Sequence, residues 1–477
     1  MTALDIVKQN LPADRISCDA GDMASHLVDW RRAYQGKASA LLQPRTTAEV
    51  AKILEIAKDH HQVVVPQGGN TGLVGGGIPS QSGSDWLLSL SKMNKIEEVN
   101  IQNRSMTVQA GAILQDIHTK SAMDGLYFPL NLAAKGSCSI GGNMATNAGG
   151  VNVLRYGTTR DLILGLEVVL MGGEVMDMLT PLRKDNTGYD LKNLFIGSEG
   201  TLGIITRANL KLFALPKARA TAIAAISDVS DALPLLSQLQ QMSGEAVEAF
   251  ELMPKVLVEA VLGHFPTITP PLSEIPPYIL LMEIASSDAA DGEANAQGEI
   301  PLQNVMMRFL EQGFEKNLIK DATLAQNEAQ RQALWDIREN APEIANTVKG
   351  PINTDIAVAR ADVPDFYKQA SAAIHAIHPA TRICGYGHLG DGNLHFNLYP
   401  GAGKDEGWQQ NRDAVKEAVY QVLADFNGSI SAEHGIGQMK AEQLKSVKAP
   451  ALLNKMRAIK QVFDPENLLN PGKILQD

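Results

Sequence analysis

The chain has 477 residues, 44% of them hydrophobic and 20% charged, enough for two or three packed domains at the rough scale of ~150 residues each. Its formal net charge of −11 argues against a broad nucleic-acid footprint and against docking on anionic lipid. Three scattered cysteines, Cys18, Cys138 and Cys384, are too few for a disulfide framework or a cysteine-built metal site and favour a reducing, cytoplasmic setting.

The amino-terminal stretch 1–15 is amphipathic and broken at Pro12. It has neither the apolar core of a signal peptide nor the arginines of a transit peptide, and no apolar run in the chain approaches the ~20 residues of a membrane span. A globular, soluble protein is expected. From Thr46 a capping box with Glu49 opens a helix whose apolar face is Val50, Ile53, Leu54 and Ala57. The β-branched run 62–65 predicts a short buried strand that ends at Pro66. Residues 162–171 and 174–179 flank Gly172-Gly173 as a hairpin. In 204–213 the alternation of Ala208, Leu210 and Leu212 with Arg207, Asn209 and Lys211 predicts a half-exposed strand.

Beyond 214 the glycine richness stops. Strand-like runs at 220–227, 248–252 and 278–285 surround a helical 233–242. A polar loop at 287–299, helices over 302–313 and 321–340, and a strand and helix over 354–378 follow. Non-adjacent strands mixed with helices indicate an α+β fold with an antiparallel sheet. The domains are placed at 1–214, 215–427 and 428–477, the last returning to the first domain.

Three glycine-rich segments, PQGGNTGLVGGG (66–77), GSCSIGGNMATNAGG (136–150) and GSEGTLG (197–203), are interleaved with Asn, Thr and Ser. Glycine lets backbone N–H groups crowd around an anion, and such nests hold pyrophosphate; together the segments indicate one large phosphate-bearing cofactor. The literal G-x-G-x-x-G match at 385–390 leads into an Asp-Gly turn and a strand rather than a helix, so a nicotinamide Rossmann domain is not expected.

These segments, with RKDNTGYDLKNLFIGSEGTLGIIT (183–206) and the closing NLLNPGKIL (467–475), resemble the vanillyl-alcohol-oxidase-type FAD proteins, most closely the D-2-hydroxyglutarate and D-lactate dehydrogenase branch. The likeness runs from about Asp29 to the carboxyl terminus. It implies a two-part FAD-binding domain plus an α/β cap domain for substrate. It implies that Pro66, Gln67, Gly68, Gly69, Asn70, Thr71 and Gly72 hold the FAD pyrophosphate. Gly136, Ser137, Gly141, Gly142, Asn143, Thr146, Asn147 and Gly149 would line the flavin and ribityl chain, with Glu199, Gly200 and Ile205 near the adenosine end and Asn470 also at the cofactor. Loop 66–77 contains no His or Cys, so FAD is expected to be bound without a covalent tether.

The segment 384–399 carries a second signal. Closing a two-residue turn at Asp391-Gly392 would pair His388 with His395 across a hairpin, with Asn397 on the same face. In 431–440, Glu433 and His434 precede Gly435 and could be aimed inwards. His388, His395 and Glu433 would form an open, zinc-type site; the resemblance implies the same His, His, Glu metal set, with His434 as the histidine base. Arg338, in a helical run, is the candidate for the substrate carboxylate, with Asn397 and Asn353 as further substrate contacts. Relatives place a Thr and a Lys near a distal carboxylate where this chain has Pro342 and Asn353, and Lys349 lies close by in sequence. A diacid such as D-2-hydroxyglutarate and a monoacid such as D-lactate therefore both stay open. So do a zinc hydrolase and an electron-relay flavoprotein. The resemblance implies an electron-transfer flavoprotein or a quinone as electron acceptor, and a homodimer is the assembly considered.

Overall fold

A computed structural model of the chain describes residues 1–403 and 407–476. The chain divides into two compact units: one of residues 1–149, 157–214 and 433–477, the other of residues 150–156 and 215–432.

The first unit holds two main sheets. In the smaller one, Ala40–Leu42, Trp86–Ser89 and Val64–Gln67 run parallel side by side, with Ile16–Ser17 antiparallel at the edge. The helix Thr47–Asp59 covers it with Val50, Ile53, Leu54, Ile56 and Ala57. Thr46 Oγ1 accepts the Glu49 N–H as expected, but the Glu49 carboxylate takes the Arg45 N–H. The second sheet has five strands, in the order Ile96–Asn100, Ser105–Gln109, Ile204–Lys211, Ile163–Val169, Val175–Met178. The strand expected to be half exposed is its middle strand and is buried along most of its length, Asn209 included. Period-two polarity misled here: Arg207 is held by Glu97 and Glu167, and Asn209 Nδ2 donates to Thr107 Oγ1, although Asn209 Oδ1 is buried without a partner among the described residues.

The second unit is built on one seven-stranded sheet with its helices packed against it. Its order is Asp321–Leu324, Ala218–Ile226, Tyr278–Ser286, Val247–Pro254, Arg382–His388, Asn393–Tyr399, Ile356–Ala357, every pairing antiparallel. Residues 321–324, expected to begin a helix, instead form the edge strand beside Ala222–Ala225, and the helix starts later at Glu328–Glu339, where Asn327 caps it. The sheet is almost wholly buried, so each charged residue in it must be compensated. Glu283 on the interior strand Tyr278–Ser286 shows how: its carboxylate accepts from Thr221 Oγ1 (2.6 Å), Arg331 Nε (2.7 Å) and Nη2 (2.9 Å), and Trp335 Nε1 (2.9 Å). Burial pushes this carboxyl's pKa up, but the Arg331 and Thr221 bonds outweigh it and hold it below the usual range. A group whose folded pKa is depressed stabilises the fold above its unfolded pKa and loses that contribution as pH falls below ~4. Glu283→Ala would leave Arg331 and Arg219 facing an emptied site, and a loss of about 3–5 kcal/mol in unfolding free energy is expected by urea titration at neutral pH, shrinking towards zero in acid.

Candidate active site

The glycine-rich segments converge within the first unit. A Cβ on Gly68 would stand 2.4 Å from Ser139 Oγ and one on Gly69 2.3 Å from Ser137 O, so the 66–77 loop lies directly on 137–142. Gly200, with φ +70°, packs on Pro66, where a Cβ would meet Cγ at 2.5 Å. Asn470 Nδ2 donates to Gly76 O and Glu199 O, joining the carboxyl-terminal segment to two of the three glycine segments. Among the described residues, the backbone N–H groups of Gly68, Gly69, Asn70, Thr71 and Gly72 hold no protein acceptor. Open space stands where Gly72 and Gly136 would carry a Cβ. A run of unspent donors beside glycine-walled space is what a pyrophosphate needs, and the residues present fit FAD.

Several residues assigned to this cofactor serve the scaffold as well. Gln67 Nε2 donates to His26 O and Gly77 O, and Asn70 Nδ2 to Ser25 O and Val28 O. A Cβ on Gly141 would lie 2.7 Å from that of Ala110. Thr146 Oγ1 donates to Gly142 O, Asn147 Oδ1 accepts the Arg160 N–H, and Asn143 and Ile205 are buried. Glu199 is buried and accepts the Ile436 and Gly437 N–H groups, each at 2.7 Å. Burial nonetheless pushes its carboxyl up to about 6.

In the second unit the expected His388–His395 pair across the hairpin is not formed. His395 pairs with Tyr386, and Asn397 with Cys384. Gly387 and His388 leave that ladder to pair with Leu252 and Glu251 on the opposite side. The turn is longer than two residues: a 3₁₀ segment, Leu389–Asp391, followed by Gly392 at φ +84°. The switch of partner strand consumes the residues that a tight turn would have paired. The two imidazoles still come together, with ring centroids 5.6 Å apart.

Each has a buried carboxylate at its Nδ1. Glu251 Oε1 lies 2.7 Å from His388 Nδ1, and Asp355 Oδ1 lies 3.8 Å from His395 Nδ1. Asp355 is set by its own bonds, accepting from Asn393 Nδ2 (3.0 Å) and the Ala432 N–H (3.1 Å). The chain then runs from Ala432 straight into Glu433 and His434. Asp355 and His395 belong to this unit, whereas Glu433 and His434 open the carboxyl-terminal segment of the first. Donors of imidazole nitrogen and carboxylate oxygen, without sulfur, suit a divalent ion such as zinc or manganese.

Arg338 is buried on the helix Glu328–Glu339; its Nε is 2.5 Å from Glu251 Oε2 and its guanidinium lies 5.1 Å above the Tyr386 ring. Burial alone would raise the Glu251 pKa, but the His388 and Arg338 charges draw it down to about 2. Asn397 Oδ1 accepts the Thr354 N–H, while the Asn353 Oδ1 is buried without a partner among the described residues. Pro342 lies in the first turn of the helix Ala341–Thr347, and Lys349 is exposed. Asp355 and Glu251 were not anticipated from sequence; the available signal was a carboxylate inside or beside an apolar strand run.

A match to the FAD binding domain covers residues 38–179, and one to the C-terminal domain of FAD linked oxidases covers 215–474. Solved structures share the fold. p-Cresol methylhydroxylase superposes with a TM-score of 0.75 at 15% identity, over 99% of this chain and 96% of its own, so the two share a fold. The chain belongs to the FAD-linked oxidase family, in the group of the D-2-hydroxyglutarate dehydrogenases. It is 36% identical to the D-2-hydroxyglutarate dehydrogenase of Xanthomonas citri over 98% of this chain and 96% of that protein. It is 38% identical to the mitochondrial D-2-hydroxyglutarate dehydrogenase of Bos taurus over 97% of this chain and 81% of that one. Gly69→Ala, which would drive a Cβ into Ser137 O, is expected to lower the flavin-to-protein ratio of the purified chain several-fold without changing its far-ultraviolet circular dichroism.

Proposed function

We propose that the chain is an FAD-dependent dehydrogenase that oxidises a D-2-hydroxy acid to its 2-oxo acid, with FAD held non-covalently and a divalent metal, zinc in the first instance, at His388, His395 and Glu433. The observation that carries this reading is the meeting of the His388 and His395 imidazoles, ring centroids 5.6 Å apart, with Glu251 at His388 Nδ1, in a chain of the FAD-linked oxidase family. When bound, FAD supplies the hydride acceptor and the metal a Lewis acid for the substrate's oxygens.

The protein's own residues do the rest. Arg338, held by Glu251, offers its guanidinium to the C1 carboxylate, a bidentate match that orients C2. His434 accepts the hydroxyl proton on an imidazole nitrogen as general base. Asp355 fixes the Ala432 N–H immediately ahead of Glu433 and so sets where that pair starts. Relatives named for D-2-hydroxyglutarate favour a five-carbon diacid. The orphaned Asn353 Oδ1, an acceptor where a diacid wants a cation, favours D-lactate-like monoacids as the second reading. Electrons would leave to an electron-transfer flavoprotein or a quinone.

The test is anaerobic mixing of the flavoprotein with D- and L-2-hydroxyglutarate and D- and L-lactate. The D-acids are expected to bleach the flavin and the L-acids not, with the faster D-acid deciding between diacid and monoacid. His434→Asn is expected to keep its flavin and slow bleaching roughly 10²–10⁴-fold. Wild-type protein that no 2-hydroxy acid bleaches would overturn the proposal.

A further inference from the structure

Glu251 occupies a place that no catalytic role above requires. It sits on the Val247–Pro254 strand, its side chain about 1% exposed, directly across the ladder from His388. Both of its oxygens are committed, one to each side of the site: Oε1 to His388 Nδ1 at 2.7 Å, Oε2 to Arg338 Nε at 2.5 Å. Tyr386, two residues before His388 on the same strand, lies under the Arg338 guanidinium at 5.1 Å. A carboxylate can only accept, so the His388 Nδ1 facing it carries the hydrogen, and the lone pair of the neutral ring is then at Nε2. The same carboxylate engages Arg338 through Nε, the nitrogen nearest the side-chain stem.

We infer that Glu251 is a positioning residue that couples the metal-binding imidazole of His388 to the carboxylate-binding guanidinium of Arg338. The inference rests on the metal and substrate assignments proposed above and adds a link between them. One rigid carboxylate sets the tautomer of one group and the orientation of the other, so disturbing it changes metal binding and substrate binding together. Separate partners for the two would let each vary alone.

Holoprotein stripped of metal by chelation, with its FAD retained, is titrated with cobalt(II), and KM and kcat for the preferred D-acid are measured in parallel after zinc is restored. Glu251→Gln places an N–H₂ group against one of two donors; a 10–100-fold weaker cobalt affinity is expected, together with a KM raised at least tenfold and a smaller change in kcat. Glu251→Asp, which keeps two acceptor oxygens, is expected to recover part of both. Arg338→Lys leaves Glu251 in place and touches no metal ligand directly; besides raising KM it is expected to weaken cobalt binding several-fold through the shared carboxylate. This variant decides the matter even if Glu251→Gln fails to fold. Arg338→Lys with wild-type cobalt affinity, or Glu251→Gln with both constants unchanged, would overturn the coupling alone. Wild-type holoprotein that takes up no cobalt would overturn the metal assignment itself, and the coupling with it.

Discussion

A charge buried inside a sheet has to be answered by opposite charge and hydrogen bonds or it costs several kcal/mol. Glu251 is answered on both sides, and most of what the second unit does for the proposed chemistry follows from that. With the carboxylate fixed on an interior strand, His388 and Arg338 have only one way to satisfy it. Asp355, 3.8 Å from His395 Nδ1, holds Asn393 and the Ala432 N–H. The His388 imidazole is thereby supported from behind by an acid that the sheet keeps out of water, an arrangement that raises ligand basicity and fixes ring orientation.

The first unit works by subtraction. Its cofactor walls approach so closely that side chains at Gly68, Gly69 and Gly200 would collide with Ser139, Ser137 and Pro66. Absence of Cβ atoms therefore does two jobs: it lets the loops pack, and it leaves backbone N–H groups of the 68–72 run turned to no acceptor among the described residues. The same loops are pinned by side chains that face inward, Gln67 to Gly77 and Asn470 to Gly76 and Glu199. A preorganised cradle costs the ligand less ordering on binding.

Much of this was legible in the residues. The glycine segments and the long motifs identified the family and its cofactor, and apolar runs marked several sheet strands, though not Ala40–Leu42, Trp86–Ser89, Ile96–Asn100 or Ser105–Gln109. Legibility failed where tertiary partners decide. Residues 321–324 read as helix because they precede one, yet they complete the edge of a sheet whose other strand lies a hundred residues earlier. The alternation in 204–213 suggested one wet face, but Glu97 and Glu167 hold Arg207, and Thr107 accepts from Asn209, within the same sheet. Asp391-Gly392 signalled a tight turn, and pairing of His388 with Glu251 overrode it. Glu251 and Asp355 stayed hidden because a lone acid in an apolar run has no local signature of its partners.

The most direct test of the proposed centre is X-ray absorption at the zinc edge of zinc-loaded holoprotein. A site built on His388, His395 and Glu433 predicts nitrogen and oxygen neighbours only, at ~2.0–2.2 Å, with the outer-shell scattering of at least two imidazole rings. A spectrum with sulfur at ~2.3 Å, or one without imidazole scattering, would contradict it.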